Sequence, residues 1–104
     1  MARKKSYKTK SEQQHLDRVA LLGCCVCKNL GYPDSPAGIH HIRTGQGRGQ
    51  RSSHFETLPL CATHHQTGGY CIAYHSGPKI WAKNYGTETE LLIQVTSELN
   101  GDLS

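Results

Sequence analysis

Two short ligand pairs of the kind that bind structural zinc occur in this chain. The first is Cys24-x-x-Cys27 and the second is Cys61-x-x-His64. Zinc takes four Cys and His ligands in a tetrahedron, and ligands about two to four residues apart let one tight turn present both. These four residues therefore predict a structural Cys3His zinc site that joins two separate parts of the chain.

Neighbouring residues leave alternatives to this ligand set. Cys25 competes with Cys24, and His65 competes with His64. Cys71 has no partner at ligand spacing, so we expect a free thiol or a core residue there. A buried cluster of reduced cysteines without metal is the alternative to the whole site.

Two adjacent histidines, His40 and His41, lie between the ligand pairs. In an extended segment their side chains point to opposite faces, so we expect different roles for them. Histidine can take a proton from water because its ordinary pKa of about 6.5 lies near working pH. A divalent metal held by His40, His65 and His75 would keep open positions for water and a phosphate oxygen. Scattered surface histidines are the alternative.

Charge is unevenly distributed along the chain. Residues 1–86 carry all twelve Lys and Arg and four acids, whereas residues 87–104 carry four acids and no Lys or Arg. The basic part contains every candidate ligand, which suits a polyanion such as nucleic acid. Residues 1–10, with Lys4 and Lys5, predict a disordered basic arm that follows phosphates. A basic protein with a solubilising tail is the alternative.

A glycine-rich segment between the two ligand pairs carries further basic side chains. Arg43, Arg48 and Arg51 flank or interrupt its glycines. Guanidinium groups pair with phosphate oxygens in a fork geometry, and glycines let a backbone approach closely. We expect this segment to clamp a DNA backbone, with a solvated hairpin tip as the alternative.

Length and composition favour one small domain over residues 11–104. The 104 residues are 36% hydrophobic, and a chain this short often needs a metal or disulfide to support its core. The cysteine count of 5 is odd, and no signal peptide or membrane-spanning apolar run is visible. We therefore expect a cytoplasmic protein that uses its cysteines for metal.

Helical signals lie near both ends of the chain. Ser11-x-x-Gln14 predicts the cap of a helix over residues 12–22, and a loop is expected from residue 29 to residue 38. Ser76 predicts the cap of a helix to residue 85, whose Trp81 is expected in the core. A second capping box, at residues 87–90, predicts a final helix to about residue 100.

Two strand candidates lie between these helices, at residues 39–42 and 55–60. The glycine-rich segment separates them, so they are expected to form a hairpin. The fold class expected is therefore α+β, with an N-terminal helix, a central hairpin and C-terminal helices.

These motifs resemble the HNH endonucleases, which share the ββα-metal fold. His40-His41-Ile42 is similar to the His-His-Ile that begins the family's hairpin, and residues 60–65 are similar to its Leu-Cys-x-x-Cys-His. Residues 24–31, 39–47 and 54–61 more closely resemble one phage branch, the Ref-type recombination-enhancement nucleases. The likeness covers about residues 12–100.

The resemblance implies a metal-dependent DNA endonuclease of phage or prophage origin in a bacterial host cell, acting on recombination intermediates or DNA bound by RecA filaments. It implies that His41 is the general base. It assigns Mg²⁺ or another divalent metal to His40, His65 and His75. It assigns structural Zn²⁺ to four residues, namely Cys24, Cys27, Cys61 and His64.

Two departures from the family pattern bear on the site. Glu56 stands where the family's central Asn usually lies, so His54, Glu56 or a backbone carbonyl must orient His41. Gly69 stands where the last histidine often lies, so a loop must bring His75 back. A non-catalytic zinc-stapled module that binds DNA or recombinase is the second hypothesis, and a metal-storage or redox protein is the third.

Overall fold

The computed structural model describes residues 9–32, 35–43 and 53–101. Helices enclose a two-stranded sheet, which confirms the α+β class. In chain order the elements are α1 (Lys10–Leu21), α2 (Cys25–Asn29), β1 (Gly38–His41), β2 (Thr57–Leu60), a π-helical turn (Thr63–Thr67), a 3-10 turn (Tyr74–Ser76), α3 (Pro78–Tyr85) and α4 (Glu88–Leu99).

The first helix begins two residues earlier than predicted, and its cap is Thr9 rather than Ser11. The Thr9 hydroxyl accepts the Glu12 backbone N–H at 3.1 Å, and the Glu12 carboxylate accepts the Thr9 N–H at 2.9 Å. A carboxylate at this position also favours the positive end of the helix dipole, which a glutamine does not. Lys10 therefore belongs to α1 and not to the predicted arm, while residues 1–8 lie outside the described part of the chain.

The segment that follows α1 was expected to be a turn and a loop, and it contains a short helix instead. Gly23, with φ of 80°, ends the α1 region in the left-handed conformation that glycine adopts without strain. Cys24 then caps α2, because its sulfur accepts the backbone N–H of Cys27. The Cys-x-x-Cys spacing thus forms one helical turn.

The predicted hairpin is confirmed. β1 lies one residue earlier in the chain than predicted, and β2 begins two residues later than predicted. β1 and β2 pair antiparallel, with His40 opposite Leu58 and His41 opposite Thr57. All four residues of β2 are buried because the strand contacts α1, α2 and α4. The glycine-rich segment, with Arg48 and Arg51, lies outside the described residues.

The C-terminal helices follow local signals closely, with one correction. Gly77, not Ser76, precedes Pro78 at the start of α3, and no side chain caps this helix. Gly86 ends α3 with φ of 108°, and the Thr87 and Glu90 capping box of α4 is confirmed. Trp81 is fully buried in the core, as predicted. Within the described ranges, the helices are all too short or too polar to cross a bilayer.

Candidate metal centres and their surroundings

The first candidate metal centre is a Cys3His cluster formed by Cys24, Cys27, Cys61 and His64. The His64 Nδ1 atom lies 3.7, 3.4 and 3.2 Å from the sulfurs of Cys24, Cys27 and Cys61, and the last two sulfurs are 3.7 Å apart. Zinc bonds of about 2.0–2.3 Å place tetrahedral ligand atoms about 3.5–3.8 Å apart. The cluster therefore fits a metal such as zinc.

Three parts of the fold present these candidate ligands. The turn of α2 presents Cys24 and Cys27, while the end of β2 and the π-helical turn present Cys61 and His64. The indole Nε1 of Trp81 donates to the His64 carbonyl at 3.1 Å, so α3 holds the π-helical turn against the core. A metal at this centre would therefore join three parts of the fold.

The protonation of these ligands is strongly affected by their surroundings. Burial raises the pKa of Cys24 to about 11, so a metal must displace its proton. Burial opposes ionisation of Cys61 too, but N–H groups of His64 and Thr63 and the neighbouring thiols outweigh it and lower its pKa. Burial lowers the pKa of His64 and keeps its ring in the neutral form that binds metal.

The alternatives to this ligand set take different places. Cys25 lies in the hydrophobic core, where burial raises the pKa of its thiol to about 12, and it is not part of the cluster. Cys71 is a half-buried free thiol. His65 lies in a second cluster, which leaves His64 with the cysteines.

The second candidate centre consists of His40, His65 and His75, whose ligand atoms lie within 4.8 Å of one another. The Nε2 atoms of His65 and His75 are 3.1 Å apart, and the His40 ring centre lies 5.0 and 5.5 Å from theirs. Nitrogen ligands at about 2.0–2.1 Å from a metal lie about 3 Å apart, so the separation of His65 and His75 fits a shared ion.

These histidines are suited to metal rather than to protons at neutral pH. Burial, followed by the charges of His40 and His75, lowers the pKa of His65 to about 4. Burial also lowers the pKa of His75, and the nearby His40 and Arg43 add to this effect. Both rings therefore keep a free lone pair at neutral pH, as a metal ligand requires.

A tight loop returns the chain so that His75 meets His65. The π-helical turn ends at Gly68, whose backbone N–H donates to the Thr63 carbonyl at 3.0 Å. A Cβ atom on Gly68 would lie 2.5 Å from that carbonyl oxygen and 2.5 Å from a methyl group of Ile72. The next residue, Gly69, adopts φ of 84° in open space. The loop thus depends on close packing at one glycine and on conformation at the other.

We expect Gly68→Ala to weaken metal binding at the three-histidine centre. Its Cβ must push Thr63 or Ile72 aside, at a cost of about 1–3 kcal/mol in unfolding free energy, and this shifts His65 relative to His75. Gly69→Ala is the matched control, because strain at its positive φ costs about 1–2 kcal/mol but nothing is displaced. Thermal unfolding and Mn²⁺ titration measure both effects. Equal Mn²⁺ affinity in the two variants would contradict this prediction.

His41 lies across β1 from His40 and contacts a different histidine. Its Nε2 atom is 2.8 Å from Nδ1 of His54, in the turn that precedes β2. Thr57 is the residue of β2 that pairs with His41. The Thr57 hydroxyl donates to the His54 carbonyl at 3.2 Å. His41 and His54 are both half-buried. Glu56 is exposed, and its backbone carbonyl accepts the Ile42 N–H at 3.2 Å.

Sequence reasoning did not single out Glu88, which lies beside the second centre. Glu88 is 4% exposed, and its Oε2 atom lies 2.6 Å from Nε2 of His40. Its carboxylate also accepts the backbone N–H of Arg43. Burial, with the charge of Glu88 and a hydrogen bond to it, raises the pKa of Tyr74 to about 12. In the sequence, Glu88 was visible only as a residue of the capping segment of α4. That position does not indicate a contact with His40.

The predicted basic residues are only partly described. Arg43 follows β1 and is exposed, beside the second centre. Lys4, Lys5, Arg48 and Arg51 lie outside the described residues, so their expected contacts with DNA stay predictions.

The fold and these two clusters define a small α+β protein with two candidate metal centres, one rich in cysteine and one made of histidines. The chain belongs to the family described as recombination enhancement, RecA-dependent nuclease, whose family model matches residues 8–100. That name indicates a nuclease that acts in recombination. A search of curated proteins found no match.

Proposed function

We propose that this protein is a metal-dependent DNA endonuclease of the HNH type. The observation that carries the proposal is the order of the site along the chain. A hairpin presents His40 and His41, and the helical turn after it supplies His65 next to His64 of the Cys3His cluster. This order of two strands, one helical turn and a histidine centre supports a ββα-metal arrangement.

In this proposal His41 takes the proton from the attacking water. Its Nε2 atom lies 2.8 Å from Nδ1 of His54. His54 then orients the ring, as the family's asparagine commonly does and as Glu56 was also expected to do. The proposed base and the proposed metal ligand His40 are adjacent residues of β1.

His40, His65 and His75 would hold the catalytic divalent ion, Mg²⁺ or another metal. When bound, such an ion supplies positive charge to the scissile phosphate and to the leaving oxygen. Arg43 follows β1 beside this centre and is suited to a phosphate oxygen. The Cys3His cluster would hold structural zinc and keep the hairpin in place.

The family name supports DNA bound by RecA filaments as the substrate. The resemblance to the phage branch adds a phage or prophage origin to this proposal. The cytoplasm of a bacterial host fits it too, because cysteines stay reduced there.

A cleavage assay on the purified protein tests the function directly. Single-stranded, duplex and displacement-loop DNA would each be incubated with Mg²⁺ or Mn²⁺, with and without RecA filaments. Cleavage that needs a divalent ion supports the nuclease, and the cut substrate reports whether a filament is required. Binding of DNA without cleavage under all these conditions would overturn the proposal.

The second candidate function is a non-catalytic zinc-stapled module that binds DNA or recombinase. The Cys3His cluster favours it because that cluster alone would support the fold. Metal counting separates the two functions, since the module needs one tightly held zinc, whereas the nuclease needs a second divalent ion at the histidines.

The predicted basic arm provides a further test. Because Thr9 caps α1, the deletion should stop at residue 8 and so remove Arg3, Lys4, Lys5 and Lys8. Each lost phosphate contact lowers the slope of log affinity against log salt by about 0.9 for duplex DNA, so the slope should fall by about 3–4. Replacing the same four residues with Gln is the length-matched control and should act alike. An unchanged slope would show that the arm makes no phosphate contacts.

A further inference from the structure

Glu88 is a buried carboxylate that links the second candidate centre to α4. It is the first residue of α4, after the Thr87 cap, where the helix dipole favours negative charge. A carboxylate that is 4% exposed must be compensated by partners, because burying an unpaired charge is costly. Its partners are the His40 ring, the Arg43 backbone N–H and the Tyr74 hydroxyl.

The contact with His40 constrains which ring nitrogen can bind a metal. The Nε2 atom of His40 lies 2.6 Å from Glu88 Oε2, a separation that requires a proton between the two atoms. A nitrogen that carries this proton cannot also donate a lone pair to an ion. Nδ1 is therefore the ring nitrogen of His40 whose lone pair could bind a metal.

We propose that Glu88 is the positioning residue of the three-histidine centre, holding His40 in the Nε2–H tautomer with Nδ1 directed to the metal. This inference rests on the proposed metal centre. Histidine ligands that donate their other N–H to a carboxylate have a fixed tautomer, a fixed ring orientation and a more basic ligand atom. Glu88 adds to this by accepting the Arg43 N–H, which anchors the end of β1 next to His40.

A purely structural role for Glu88 makes different predictions. If Glu88 only ties α4 to the hairpin, its replacement lowers the unfolding temperature and leaves the metal affinity of the folded protein unchanged. If Glu88 positions His40, its replacement lowers that affinity by about 10- to 100-fold. Glu88→Gln separates the two roles, since the amide keeps the size and an acceptor oxygen but loses the charge.

The test uses full-length, zinc-loaded protein and Mn²⁺ as the probe, because thiolate ligands do not favour this ion. Free Mn²⁺ is measured by its paramagnetic resonance signal for wild type, Glu88→Gln and Glu90→Gln. Glu90→Gln is the matched control: it makes the same charge change in the same helical turn and touches the Thr87 cap rather than His40. We expect weaker binding only in Glu88→Gln. Equal affinity in wild type and Glu88→Gln would overturn the inference.

A second measurement keeps this inference separate from the proposed function. The ¹⁵N spectrum of His40 in protein without added Mn²⁺ reports its tautomer directly, and Glu88 should hold it as Nε2–H in wild type. Loss of that single tautomer in Glu88→Ala supports the inference, whereas an Nδ1–H tautomer in wild type overturns it. Wild type that shows the expected tautomer but binds no Mn²⁺ would overturn the metal centre alone.

Discussion

Replacing His41 with alanine is expected to reduce DNA cleavage by about 10²–10⁴-fold, the usual contribution of a positioned general base. The proposed base lies at the end of β1, and its ring is fixed by the 2.8 Å contact with His54. Alanine removes the proton acceptor but leaves His40, His65 and His75 in place. The measurement is the single-turnover cleavage rate under the conditions in which wild type cuts.

Two control variants make this prediction specific. His15→Ala removes a histidine that lies outside both clusters and packs on Phe55, and it should cut at the wild-type rate. His54→Ala removes the residue proposed to orient His41, and it should lose less activity than His41→Ala. Full cleavage by a clean His41→Ala preparation would remove His41 from the role of base.

The fold of His41→Ala must be shown to survive. Its side chain is half-buried, in contrast to His40, so truncation should leave the core intact. Unchanged zinc content, Mn²⁺ affinity and unfolding temperature would assign the lost activity to chemistry. A parallel fall in all three would contradict the assignment, because His41 would then support the structure.

The largest expected effect on stability is loss of the Cys3His zinc site. Structural zinc contributes about 10–16 kcal/mol of apparent binding free energy in small domains, comparable to the whole stability of about 5–15 kcal/mol. The site is also central to packing, because Cys24 and Cys27 belong to the same buried cluster as Leu58, Leu60 and Trp81. We therefore expect the protein to unfold when a strong chelator removes this metal.

A pair of cysteine variants tests this expectation without a chelator. Cys61→Ser removes a proposed ligand, whereas Cys71→Ser changes a free thiol that is similarly half-buried and lies outside the cluster. Metal analysis and thermal unfolding should show loss of zinc and of the cooperative transition in Cys61→Ser alone. Retention of one zinc and an unchanged unfolding temperature in Cys61→Ser would exclude Cys61 as a ligand.

The sequence by itself determined the elements whose signals lie within a few residues. The capping box of Thr87 and Glu90, the stop at Gly86 and the hairpin flanking a glycine-rich segment were all predictable, because each depends on local hydrogen bonds or backbone freedom. Ligand spacing likewise indicated which cysteines and histidines to examine. The structure brings those side chains together, and their roles as ligands stay predictions.

Local signals failed where two neighbours offered similar chemistry. Thr9 and Ser11 can each begin a capping box, and the structure uses Thr9 because Glu12 completes it with a carboxylate. Cys24 and Cys25 are adjacent thiols, and packing turns Cys25 into the core while Cys24 faces His64. Such neighbours differ in where their side chains point relative to the rest of the fold. Sequence spacing carries no information about that direction.

Only the tertiary structure decided the surroundings of the two central histidines. His40 contacts Glu88, and His41 contacts His54. The two rings have different partners because the pleat of β1 places them on opposite sides of the strand. Alternation predicted that they would separate, but not which groups they would meet. Those partners come from other elements, the start of α4 and the turn before β2, and their approach depends on how the helices pack against the hairpin.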